Sequence, residues 1–93
     1  MKKIENHLIH FYGSECPHCD RVRPILDAFE KETGLRVERL EVWHDKENED
    51  FLVECDKGEG DDKCGGVPFF VNTKTGKTIC GETTVKELKD WAL

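Results

Sequence analysis

Between Leu8 and Gly34 the spacing of apolar residues changes, and that change limits what the chain can build. Leu8-Ile9-His10-Phe11-Tyr12 is a short apolar and aromatic run closed by Gly13-Ser14, the pattern of a largely buried strand. Val22, Ile25, Leu26 and Phe29 then recur at i, i+3, i+4 and i+7, one stripe of an amphipathic helix. Pro17 stands where a helix best accepts proline, at its first position, and Gly34 supplies the stop. Pro24 falls inside this helix, removes one backbone hydrogen bond and predicts a bend.

Arg36 to Val42 alternates imperfectly and reads as a second strand, and Asp45 caps a weaker helix carrying Phe51, Leu52 and Cys55. Asp56 to Gly66 holds four glycines and four acidic residues, too little apolar surface to bury, so it reads as an exposed loop. It lacks the alternating ligand order and terminal Glu of a calcium loop. Pro68 to Asn72 and Lys77 to Cys80 flank a turn ending in Gly76, an antiparallel hairpin. Thr84-Val85-Lys86-Glu87 has the capping-box pattern and opens a last helix with Val85, Leu88 and Trp91 on one stripe. The predicted order is βαβαββα. The 93 residues suit one α/β domain spanning 1–93. Trp43, Phe69, Phe70 and Trp91 are assigned to its core.

Fourteen Lys and Arg against twenty Asp and Glu give a net charge of −6, which argues against nucleic acid as a partner. No apolar run is long enough to span a membrane. Glu5, Asn6 and His7 break the basic opening before a signal-peptide core develops. The expectation is a cytoplasmic monomer, where thiols are kept reduced and the five cysteines read as catalytic or metal-binding rather than as a disulfide framework.

Cys16-Pro17-His18-Cys19 lies at the predicted helix start. A pair at this spacing is weak evidence alone, but the position matters, because free N–H groups and the positive dipole end of a helix stabilise a thiolate. Cys16 is then the nucleophile and Cys19, one turn deeper and less exposed, the resolving thiol. Pro17 and His18 tune the pair, since a protonated His18 adds positive charge beside Cys16. Lowering a thiol pKa from about 8.5 to about 5 stabilises the reduced form by about 2.7 kcal/mol, roughly 60 mV. Couples in this chemistry span about 150 mV, so the dipeptide does not fix the direction of electron flow. The intracellular setting favours a reductase.

With these motifs the chain resembles the thioredoxin superfamily over nearly its whole length: a strand, Cys-x-x-Cys at a helix start, a proline five residues on, and Val67-Pro68 opening the third strand. Phe11-Tyr12 before Cys-Pro-x-Cys and the short N-terminus are more similar to glutaredoxins, and Pro17-His18 to the bacterial periplasmic disulfide donors. The resemblance implies a four-stranded mixed sheet flanked by three helices. It also implies a cis bond before Pro68, with Tyr12, Val67 and Pro68 binding substrate. The chain departs from the pattern at His10, where thioredoxins place a buried Asp that assists proton transfer, and at Glu15, which replaces their tryptophan. Gly66-Val67-Pro68 and Cys80-Gly81-Glu82 depart from the glutaredoxin glutathione site. The implied activity is thiol-disulfide oxidoreduction with no cofactor beyond a redox-active Cys16–Cys19 disulfide. The implied partners are disulfide-containing proteins and a thiol or reductase electron donor, glutathione being one candidate.

Cys55, Cys64 and Cys80 stay open at this point. Cys80, in a strand, reads as a small buried hydrophobe. Cys55 and Cys64 are inert, a regulatory disulfide, or metal ligands. Two other functions compete: a metal-binding module using Cys16, Cys19 and the loop cysteines, disfavoured by their spacing, and a redox-inactive adaptor binding partners beside Val67.

Overall fold

The computed structural model describes residues 6–56 and 66–93. It is an α/β structure with a four-stranded mixed sheet and three helices. The described elements run β1 (Leu8–Tyr12), α1 (Pro17–Thr33), β2 (Glu38–Glu41), α2 (Lys46–Cys55), β3 (Phe69–Asn72), β4 (Thr78–Cys80) and α3 (Val85–Ala92). The sheet order is β2-β1-β3-β4, with β1 parallel to β2, β3 antiparallel to β1 and β4 antiparallel to β3.

Both sheet faces are covered, which is why β1 and β3 read as near-continuous apolar runs. Successive strand residues point to opposite faces. Leu8 and Phe70 join Val22, Leu26, Phe29, Leu88 and Trp91 on the side of α1 and α3. Ile9, Phe11, Phe69 and Val71 join Leu40, Val42 and Leu52 on the side of α2. Trp91 is 2% exposed, meets Phe70 edge-on and donates its indole N–H to the Lys77 carbonyl.

The caps follow the local sequence. Gly34 adopts φ 73, the left-handed conformation that ends α1, and its N–H bonds the Glu30 carbonyl. Asp45 and Thr84 each accept an N–H at the starts of α2 and α3. α1 continues through the exposed Pro24. Asn72 accepts the N–H groups of Lys74 and Thr75 and shapes the β3–β4 turn that ends at Gly76, φ 83.

Trp43 is not in the core. It is 50% exposed, in the loop between β2 and α2, with its ring flat over Gly13, where an added Cβ would lie 2.3 Å from the indole. Cys80 is also not a buried hydrophobe: it is exposed and disulfide-bonded. Of the three readings left open for Cys55 and Cys64, the disulfide between them is not formed, since Cys55 is a half-buried thiol packed on the α2-side core. Cys64 lies outside the described residues. Among the described residues no helix is long and apolar enough to cross a membrane.

Candidate functional site

Gly13 and Ser14 turn the chain out of β1, and Cys16 becomes the N-cap of α1, with Pro17 in the first turn. The Cys16 sulfur takes the capping role usually filled by an oxygen, accepting the Cys19 N–H at 3.2 Å. Cys16 and Cys19 are free thiols, neighbours on one helix face at i, i+3. The Val67–Pro68 bond is cis, and the Val67 carbonyl faces the Cys16 sulfur at 4.0 Å. Two segments 51 residues apart thus meet at one sulfur.

The sequence places Cys19 deeper than Cys16, whereas the structure covers both equally, each 4% exposed. What separates them is their surroundings. Burial first, and then the hydrogen bond with Cys16, push the Cys19 thiol up to about 12. Cys19 faces a cavity of about 320 Å³ shared with His10, Tyr12, Arg23, Leu26 and Arg39. Tyr12 thus lines the Cys19 cavity and, at the end of β1, follows Phe11, whose partner across the sheet is Phe69, the residue after Pro68.

His10 is 3% exposed, stacked on Phe70 at 4.4 Å, with a buried Nδ1 that finds no hydrogen-bond partner. Burial first and the Arg39 charge second push its pKa down to about 3, so the ring is neutral at any ordinary pH. A ring that burial holds neutral is a poor acceptor for a thiol proton. The proton-transfer role of the Asp found at this position in thioredoxins does not pass to His10.

Two exposed histidine–carboxylate pairs lie beside Cys16. On α1, His18 donates from Nδ1 to Glu82 Oε2 at 2.7 Å, and Arg21 reaches the same oxygen at 3.4 Å. This carboxyl is held below the usual range by the His18 hydrogen bond, against the opposing effect of desolvation, with the Arg21 charge adding. On the other side His44 Nε2 meets Glu15 at 2.7 Å. Glu41 accepts the N–H groups of Ser14, Trp43 and His44 and the Ser14 hydroxyl, tying the Cys16 turn to the end of β2.

Glu15, Glu41 and His44 each present a donor atom within 4.8 Å of the others, the one group among the described residues close enough to hold a cation. It contains no thiol, so it is not the cysteine site of the metal-binding alternative. The Glu41 oxygens alone already accept four hydrogen bonds. An apolar groove of about 370 Å³ runs from Trp43 past Leu52 and Val53 to Val67.

Sequence reasoning missed Glu82, Glu41 and the Gly13–Trp43 contact. Glu82 had only one signal, its place directly after a glycine at a strand end; nothing local links it to a residue 64 positions earlier. No protein-family model matches this chain, and no curated protein matches it.

Proposed function

We propose that the chain is a thioredoxin-like thiol-disulfide oxidoreductase acting through a Cys16/Cys19 dithiol. The observation that carries this reading is a capping thiol on α1, a second thiol one turn on, and a cis Val67–Pro68 carbonyl 4.0 Å from the first sulfur. The helix N-terminus favours negative charge on Cys16.

In the reducing direction the Cys16 thiolate attacks one sulfur of a client disulfide. The client S–S bond breaks, its other sulfur leaves as a thiolate and takes a proton, and a mixed disulfide forms on Cys16. Cys19 then loses its proton and attacks the Cys16 sulfur. The second client thiol is released and a Cys16–Cys19 disulfide remains. Two electrons have passed from the dithiol to the client, and an external thiol or reductase returns them.

The position of Cys19 orders these steps. Two of the influences that keep its proton in place, the Cys16 hydrogen bond and the Cys16 charge, come from the nucleophile itself. Both end when Cys16 is bound to the client, so resolution follows attack. An extended client segment reaches Cys16 by pairing with the Val67 backbone, with a side chain in the groove beside Trp43.

The near-complete cover of Cys16 gives the adaptor reading its support. Insulin-disulfide reduction with a thiol donor separates the two. The expected result is activity in the native chain, loss of at least a hundredfold in Cys16→Ser, and a trapped client mixed disulfide in Cys19→Ser. Equal turnover by the native chain and Cys16→Ser would reject the enzyme.

A further inference from the structure

We propose that Glu82 sets how much of the His18 positive charge reaches the Cys16 sulfur, which makes it a positioning residue for the exchange reaction. The inference deepens the oxidoreductase reading and rests on it. It starts from where the fold puts one carboxylate. Gly81, at φ 89, donates its N–H to the Pro68 carbonyl at 2.8 Å, fastening the end of β4 to the cis-proline turn. The next side chain therefore projects across the rim of the site. There it meets His18, the second residue after Cys16, and Arg21 one turn further on.

His18 faces Glu82 directly. Arg21 shares the same Glu82 oxygen, while Asp20 is engaged with Arg23 at 2.9 Å on the same helix. Glu82 is thus the one described acid paired with the histidine of the motif. A protonated His18 alone favours the Cys16 thiolate, and the same cation beside a carboxylate at 2.7 Å is largely cancelled as seen from the sulfur. Holding the imidazole against Glu82 also fixes which nitrogen points away from the rim. In this arrangement Glu82 restrains the acidity of Cys16 and keeps the couple more reducing than its Pro-His dipeptide would otherwise make it.

The pair is exposed, so the effect is modest and sensitive to salt. Glu82→Gln keeps a hydrogen-bond acceptor for Nδ1 and removes the charge. At about pH 6, where an imidazole without a partner is mostly protonated, two quantities are read at low salt. One is the rate of Cys16 alkylation by iodoacetamide, located by mass spectrometry, which follows the thiolate fraction. The other is the dithiol-to-disulfide ratio at a fixed glutathione poise. Glu82→Gln is expected to raise both roughly threefold. His18→Gln is expected to lower both by leaving the carboxylate uncompensated, and Glu82→Gln added to His18→Gln to bring both back towards the native values. In about 1 M salt the differences disappear.

An unchanged alkylation rate in Glu82→Gln overturns the proposal. So does an unchanged rate in His18→Gln, which would mean that no His18 charge reaches the sulfur for Glu82 to offset. If the native chain forms no Cys16–Cys19 disulfide at any glutathione ratio, the oxidoreductase reading fails, and the alkylation arm still decides the role of Glu82.

Discussion

Beneath the cysteine pair and around its rim, histidine meets opposite environments. His10, under Cys19, is buried against Phe70 and left with an unpartnered Nδ1. His18 and His44, at the rim, are exposed and each faces a carboxylate at 2.7 Å. The interior removes the charge that water no longer stabilises, whereas the rim supports charge through a partner and solvent. His18 and His44 each have a carboxylate partner at the rim, and the ring beneath serves as packing. One residue type therefore does two unrelated jobs within a few residues of the same pair.

The contrast is tested most strongly at His10. Its folded pKa, about 3, lies below the ordinary imidazole value of 6.5, so the unfolded chain binds the additional proton between these limits. Stability is then full above pH 6.5 and falls as the pH drops towards 3, by at most about 5 kcal/mol. His10→Phe keeps a ring on Phe70 and removes the titrating group. Denaturant unfolding should show a shallower acid slope in His10→Phe than in the native chain, the carboxylate contributions being common to both. Parallel slopes would mean that His10 is protonated inside the fold, and the contrast with the rim would be lost.

At the rim, shape comes before charge. Gly13 is buried, and a Cβ there would lie 2.3 to 2.6 Å from three Trp43 ring atoms. Gly13→Ala should cost about 1–3 kcal/mol, the usual range for overpacking. The loss should shrink when Trp43→Ala is added, because the clash has then gone. Equal losses in both backgrounds would place the strain elsewhere than under the indole.

Glu41 sharpens the difference between scaffold and tuning acids. It accepts four hydrogen bonds from Ser14, Trp43 and His44, whereas Glu82 accepts only from side chains. Desolvation alone would raise the Glu41 pKa, but the His44 and Ser14 bonds lower it. Its contribution is present above the unfolded carboxylate value and is lost as the pH falls through the folded one. Glu41→Gln should speed amide exchange at Ser14 and His44 roughly tenfold and leave Cys16 alkylation within twofold. A larger change at Cys16 than at the amides would make Glu41 a tuning group like Glu82.

How much of this was legible varies with how local the cause is. The β1-to-α1 change of period, the Thr84 capping box and the Gly34 stop are written in neighbouring residues, and the elements stand where those signals lie. Cys80 was legible but misread: Thr78 and Cys80 share one face of β4, and both are exposed, while Ile79 packs inward. Trp43 followed the rule that large apolar residues go inside, yet its ring lies on a glycine 30 positions earlier, a contact no local pattern encodes. Glu82 belongs with Trp43. The thiols were visible from spacing, but the acid beside them depends on how β4 is pinned to Pro68.

The smallest expected effect concerns His44. Its pKa is raised first by the Glu15 hydrogen bond, then by the Glu15 and Glu41 charges. The contribution of this pairing is complete below pH 6.5 and is lost as the pH rises through the folded value. Glu15→Gln should bring the His44 midpoint, followed by NMR, back towards 6.5 while leaving the His18 ring resonances unchanged. If His18 responds as well, the two rim pairs are one electrostatic unit, and Glu82 would not be separable from Glu15 in setting the charge seen by Cys16. If only His44 responds, the two sides of the sulfur act independently. The α1 side then carries the tuning, because the opposite side spends its carboxylates on backbone and on one another's partners.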